Sequence, residues 1–169
     1  MSLEHLAFLD VVEFDEGKSL RAAVLLTRAD TAPLEFHLTD CVRPTAAQRL
    51  LYGAILERHL AVEIFGKPLL SALSQQPEVI ITKSSDLFQH LAKSLEIPTV
   101  FLTPDKQIHE IVAPQGNPKK ALLQALTEIR SREDLLEPFE RIRNVVTRVH
   151  ETNRAGNNKP VPVAQEHAR

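Results

Sequence analysis

Pro77-Glu78-Val79-Ile80-Ile81-Thr82 and Ile97-Pro98-Thr99-Val100-Phe101-Leu102 are two short apolar runs, each closed off by turn-forming residues. Between them Leu87, Leu91 and Leu95 recur at helical spacing behind a capping serine, Ser84 or Ser85. Short runs rich in Val and Ile read as buried parallel strands. A strand, a helix and a strand over this length make a right-handed crossover. This unit decides the fold class: the chain is expected to be an α/β domain.

Upstream the period is two. His5 to Phe14 alternates, with Leu6, Phe8, Asp10, Val12 and Phe14 on one face and Ala7, Leu9, Val11 and Glu13 on the other. Asp15-Glu16-Gly17-Lys18 reads as a hairpin turn, Leu20 to Arg28 as a second strand, and Asp30-Thr31-Ala32-Pro33 as another turn. Leu34 to Val42 alternates again, which completes an antiparallel meander. Pro44 ends it. Thr45 and Gln48 then form a capping box, and Leu51, Ala54, Ile55 and Arg58 follow helical spacing to about Leu60. Gly66 and Pro68 are expected to interrupt this helix before Leu69 to Leu73 resume it.

Downstream, Asn117-Pro118 opens a helix whose apolar face is Ala121, Leu122, Ala125, Leu126 and Ile129. Glu137-Pro138 opens another, with a stripe of Leu135, Phe139, Ile142, Val146 and Val149. From Thr152 the period is lost. The reading is one α/β domain over residues 1–150 with a flexible tail at 151–169. The domain holds a mixed five-stranded sheet in the order βββαβαβα, with helices at its C-terminal end.

Composition narrows function by exclusion. The chain has 169 residues, 43% of them apolar and 25% charged, with a net charge of −2, so a folded core is expected and a basic duplex-DNA face is not. Its first forty residues are acidic, holding Glu4, Asp10, Glu13, Asp15, Glu16, Asp30, Glu35 and Asp40 against Lys18, Arg21 and Arg28. One cysteine, Cys41, excludes an internal disulfide or a cysteine-based zinc cluster, and is expected to be a buried small thiol. The scattered histidines match no zinc spacing, and neither a P-loop nor a Gly-x-Ser-x-Gly elbow occurs. No apolar run reaches the roughly 18 residues of a membrane span. A soluble, cytoplasmic protein with no membrane partner is expected.

The order of elements resembles the ribonuclease H-like superfamily, and most closely its endonuclease V-type members. In these a three-strand meander leads to a helix and then to an apolar strand ending in aspartate. The stretch 77–82 corresponds to that strand. The resemblance implies phosphodiester hydrolysis by Mg²⁺ or Mn²⁺ ions held by carboxylates. It places the first carboxylate midway along the first strand, where Asp10 stands among Leu6, Phe8, Val12 and Phe14. For the further carboxylates the implication offers Glu57 or Glu63 on the helix after the meander, Asp86, which also suits the first turn of its own helix, and Glu137 or Glu140 on the last helix. The fourth strand departs from the pattern, since it ends Thr82-Lys83 where an aspartate is implied.

Two functions from different classes follow. The first is a non-catalytic interaction protein that binds a protein partner or a second copy of itself. Its candidate surface is the densest run of specific residues, Thr39 to Gly53, with Arg43, Gln48, Arg49 and Tyr52 as binding residues and Gly53 as a site of close backbone packing. The second is a metal-dependent nuclease acting on DNA or RNA, with Asp10 as metal ligand and Asp10, Glu57 and Asp86 as catalytic residues. Only this second function brings in nucleic acid. Asp10 discriminates between them: a nuclease needs it accessible beside other carboxylates, whereas a binding module pairs it with Lys, Arg or backbone N–H groups.

Overall fold

The computed structural model describes residues 1–155. A single mixed sheet of six strands, in the order β3-β2-β1-β4-β5-β6, carries helices on both faces. The strands are β1 (Leu6–Phe14), β2 (Ser19–Thr27), β3 (Pro33–Leu38), β4 (Val79–Thr82), β5 (Thr99–Leu102) and β6 (Ile108–Val112). The helices are α1 (Ala46–Tyr52), α2 (Leu56–His59), α3 (Lys67–Ala72), α4 (Ser85–Ser94), α5 (Lys119–Arg130) and α6 (Glu137–Ala155). A 3₁₀ turn at Gly53–Ile55 joins α1 to α2, and a π-helical stretch at Leu60–Gly66 joins α2 to α3.

β1 organises the sheet. It pairs antiparallel with β2 along its full length and parallel with β4 at Leu6↔Val79, Ala7↔Ile80 and Phe8↔Ile81. The alternation expected of β1 is realised, but both of its faces are buried. Leu6, Phe8 and Val12 pack with Leu126, Phe139, Ile142 and Val146 of α5 and α6. Ala7 and Leu9 pack with Val62, Phe65, Leu69, Leu87 and Leu91 of the π-helical stretch, α3 and α4. Phe8 meets the Phe139 ring edge-on, with centroids 5.5 Å apart. At ~1.5–3 kcal/mol for each large side chain removed from water, these two layers supply the main force for folding.

Three expectations are corrected. The sheet has six strands and not five: β6 pairs antiparallel with β5 through a turn in which Lys106 takes a positive φ. Gly66 and Pro68 do not interrupt the helical segment. Pro68 lies at the junction of the π-helical stretch and α3, where the Lys67 N–H closes a wide turn onto the Val62 carbonyl and the helix continues through the proline. Gly66 also lets α4 approach, since a Cβ there would run into the Leu91 side chain. Cys41, expected to be buried, is exposed.

α6 runs past residue 150 to Ala155, and residues 156–169 of the expected tail lie outside the described residues. Its C-terminal end is fastened to the first hairpin. The His150 ring stacks on Phe14 at 3.8 Å, and Arg21 Nε donates to His150 Nδ1 at 3.2 Å. Among the described residues no helix is long and apolar enough to cross a membrane.

Candidate functional site

Asp10 lies on the α6 face of β1 and is 4% exposed. The parallel register of β1 and β4 ends at Phe8↔Ile81, and two residues further along each chain stand Asp10 and Lys83. The strands splay there, and Lys83 Nζ comes within 3.8 Å of Asp10 Oδ2 while lying 5.7 Å from the centre of the Phe139 ring. Burial raises the pKa of the Asp10 carboxyl above its ordinary value; Lys83, the Val11 N–H and Arg143 oppose that shift. A lone carboxylate with two cations around it is not a donor set for a divalent metal. Among the described residues no group of three or more His, Cys, Asp or Glu side chains is placed to hold one. The donors present therefore do not fit the metal pair that the resemblance implied.

The other two carboxylates of that set lie on the opposite face. Glu57 and Asp86 line one crevice beside the carboxyl ends of β1 and β4, a cavity of about 280 Å³. β1 continues into β2 on one side and β4 reaches β5 on the other, so the crevice sits where strand connections diverge. Its floor is apolar: Val11, Leu20, Leu60, Phe65 and Leu87. Its rim carries Glu13, Arg49, Glu57, Asp86 and His90. Sequence reading missed Glu13 and His90, although the alternation of β1 does put Glu13 on the Val11 face.

The run from Thr45 to His59 forms an arm, with Arg43 at its foot. Arg43 is tied into the fold: its Nη2 donates to Asp15 Oδ2 at 2.8 Å and its Nε to Ser19 Oγ at 3.0 Å. Arg154 Nη1 meets the other oxygen of the same carboxylate at 3.4 Å. Asp15 has φ of 52°, and these partners hold its carboxylate and keep its pKa low, the Ser19 hydroxyl contributing most. Gln48 spends its side chain on the capping box, its Oε1 accepting from the Thr45 N–H while Thr45 Oγ1 accepts from the Gln48 N–H. The Tyr52 ring leans on His59 at 4.7 Å. Gly53 ends α1 with φ of 53°, and a Cβ there would meet nothing within 4 Å. The close backbone packing expected at Gly53 is therefore absent; its positive φ is what requires glycine.

No residue of α1 is buried. Leu50 is 85% exposed, Leu51 84% and Ile55 51%, so these aliphatic side chains point away from the core. Of the four binding candidates, the structure puts Arg49 on the crevice rim, and gives Arg43, Gln48 and Tyr52 partners within the arm and its foot.

No protein-family model matches the sequence, and no curated protein matches it. Among solved structures, an endonuclease V from Bacillus subtilis is similar in shape, with a TM-score of 0.41 and 17% identity over 62% of this chain. The match spans 45% of that structure, and a likeness this coarse assigns no residue a role.

Proposed function

We propose that this chain is an interaction protein, a single α/β domain of ribonuclease H-like order that docks on its partner through the arm at residues 45–59. One observation carries the reading: a capped helix and the 3₁₀ turn after it have no buried residue and present Leu50, Leu51 and Ile55 to solvent. Large aliphatic side chains exposed close together in the chain are a common mark of a site of association. The Asp10–Lys83 pair supports the same reading, because the buried carboxylate is met by an ammonium group and not by further carboxylates. The test is sedimentation over a range of concentrations together with capture from cell extract, each repeated with Leu50→Ser/Leu51→Ser. The native chain self-associates or retains a protein that the variant does not. Identical behaviour of the two proteins overturns the reading.

A second reading is a Mg²⁺- or Mn²⁺-dependent nuclease acting on DNA or RNA. What favours it is the meeting of Glu57 and Asp86 in one crevice at the carboxyl ends of β1 and β4. A cleavage assay with either ion on single- and double-stranded DNA and RNA decides. Metal-dependent cutting that is lost in Asp10→Asn, or in Glu57→Gln/Asp86→Asn, would establish the nuclease. No cutting by the native chain removes it.

A further inference from the structure

The crevice between the arm and the sheet is small, apolar at its base and acidic at its edge. About 280 Å³ lies at the lower limit for a pocket that encloses a cofactor or nucleotide, but it accommodates one bulky side chain of a partner. Leu60, Phe65 and Leu87 give such a side chain an apolar seat.

The charges above that seat are not spent within the fold. The carboxylates with a cationic or imidazole partner are others: Asp10 with Lys83, Asp15 with Arg43 and Arg154, Asp30 with Arg28, Glu35 with His37, Glu63 with Lys67, Asp134 with Lys106, Glu137 with Arg141. The carboxylates of Glu13, Glu57 and Asp86 accept no hydrogen bond and form no ion pair with any described residue, although all three edge the same cavity. Arg49 is the single arginine or lysine on the rim, so the rim is net negative. A phosphate backbone would be repelled by such an edge, whereas lysine and arginine side chains would be drawn to it.

We propose that this crevice receives a basic amphipathic helix of a protein partner. One apolar side chain of that helix enters the pocket, and its lysines or arginines lie against Glu13, Glu57 and Asp86. The inference rests on the docking reading above and names its partner's chemistry. An apolar stripe at i, i+3 or i+4 and i+7 is the usual way a helix fills a groove. Leu50, Leu51 and Ile55, exposed on the same arm as the rim residues Arg49 and Glu57, offer further apolar contacts. Apolar contact supplies affinity, and the acidic rim supplies approach rate and discrimination between partners.

The experiment uses the full chain and two fluorescein-labelled peptides of about 18 residues, or five helical turns. One is a Leu/Lys amphipathic helix and the other its Leu/Glu counterpart. Fluorescence anisotropy is expected to show saturable binding of the Leu/Lys peptide, weakened by salt, and none of the Leu/Glu peptide. Glu13→Gln/Glu57→Gln/Asp86→Asn is expected to raise the Kd of the Leu/Lys peptide about tenfold, mostly through a slower association rate. All three positions are exposed, so an unchanged Tm verifies that the variant is folded. Equal binding of both peptides, or an unchanged Kd in the triple variant, overturns the inference. Leu50→Ser/Leu51→Ser separates the two claims. If it abolishes binding while the triple variant does not, the arm docks a partner and the acidic rim plays no part. If only the triple variant weakens binding, the partner docks at the crevice, and Leu50 and Leu51 are not among its contacts.

Discussion

β1 and α1 spend their apolar residues in opposite ways. β1 turns Leu6, Phe8 and Val12 into one helical layer and Ala7 and Leu9 into the other, and all five are buried. α1 turns Leu50 and Leu51 into water. The strand is held by burial, while the arm is held by its ends. Thr45 and Gln48 cap its start, Arg43 ties its foot to Asp15 and Ser19, and the π-helical stretch fixes its far end to the core. A helix this short is marginal in water without such supports. Apolar residues that do not hold up the fold are free to serve contact with another molecule, and that is the functional lesson of the contrast.

The contrast can be broken or sharpened by measurement, beginning with the largest expected effect. Phe139→Ala removes the ring that meets Phe8 and should lower stability by ~3–5 kcal/mol in denaturant titration. Gly66→Ala places a methyl 2.8 Å from the Ala61 carbonyl as well as against Leu91, and should cost ~1–3 kcal/mol in the same assay. Lys83→Met leaves the buried Asp10 carboxylate without its nearest cation. Because Lys83 is itself partly exposed, the expected loss is about 1 kcal/mol at neutral pH.

That loss has a definite pH dependence. The raised pKa of Asp10 means that the fold favours its protonated form. The stabilisation from this group is therefore complete below the ordinary carboxyl value of 3.8 and is lost as pH rises through the folded-state pKa. Asp10→Asn should accordingly raise Tm at pH 7, and the gain should vanish in acid. The Lys83→Met penalty should vanish over the same range, and in the Asp10→Asn background it should disappear at every pH. His150 works in the opposite direction. Burial and Arg21 lower its pKa, so its contribution is present above 6.5 and is lost as pH falls through its folded value. His150→Phe should flatten that part of the stability profile.

The smallest expected effect is at the arm. Leu50→Ser/Leu51→Ser should leave stability within ~0.5 kcal/mol, as surface changes do. A loss comparable to Phe139→Ala would mean that the arm is packed, and the distinction between the two regions would collapse.

Much of this architecture was readable from side-chain periodicity. β1 and β3 alternate, β2 is rich in Val and Leu, β4 and β5 are short apolar runs, Thr45 caps α1 as expected, and of the two serines offered for α4 it is Ser84 that caps it. β6 was not readable because Ile108-His109-Glu110-Ile111-Val112 is a short edge strand with a largely exposed pattern, which obscures the alternation. Asp10 stood out in the sequence as a carboxylate on an apolar face, and Lys83 as a cation at the wrong place for a metal ligand. Their pairing follows from a strand register that no local pattern encodes. The crevice was invisible for the same reason: Glu13, Glu57 and Asp86 come from three distant segments and meet only once β1, the arm and α4 are assembled.

The fastening of α6 to the first hairpin also sets an order of events during synthesis. A chain made from its N-terminus completes the meander early, but the cover over Leu6, Phe8 and Val12 needs Leu126 of α5 and is complete only once Phe139, Ile142 and Val146 have been made. The Arg21–His150 bond spans 129 residues, so the latch closes almost last. Contacts between such distant segments slow folding and leave apolar sheet exposed in the meantime. The nascent chain, and any product cut short before Phe139, is therefore the form that depends on chaperones and is prone to aggregate.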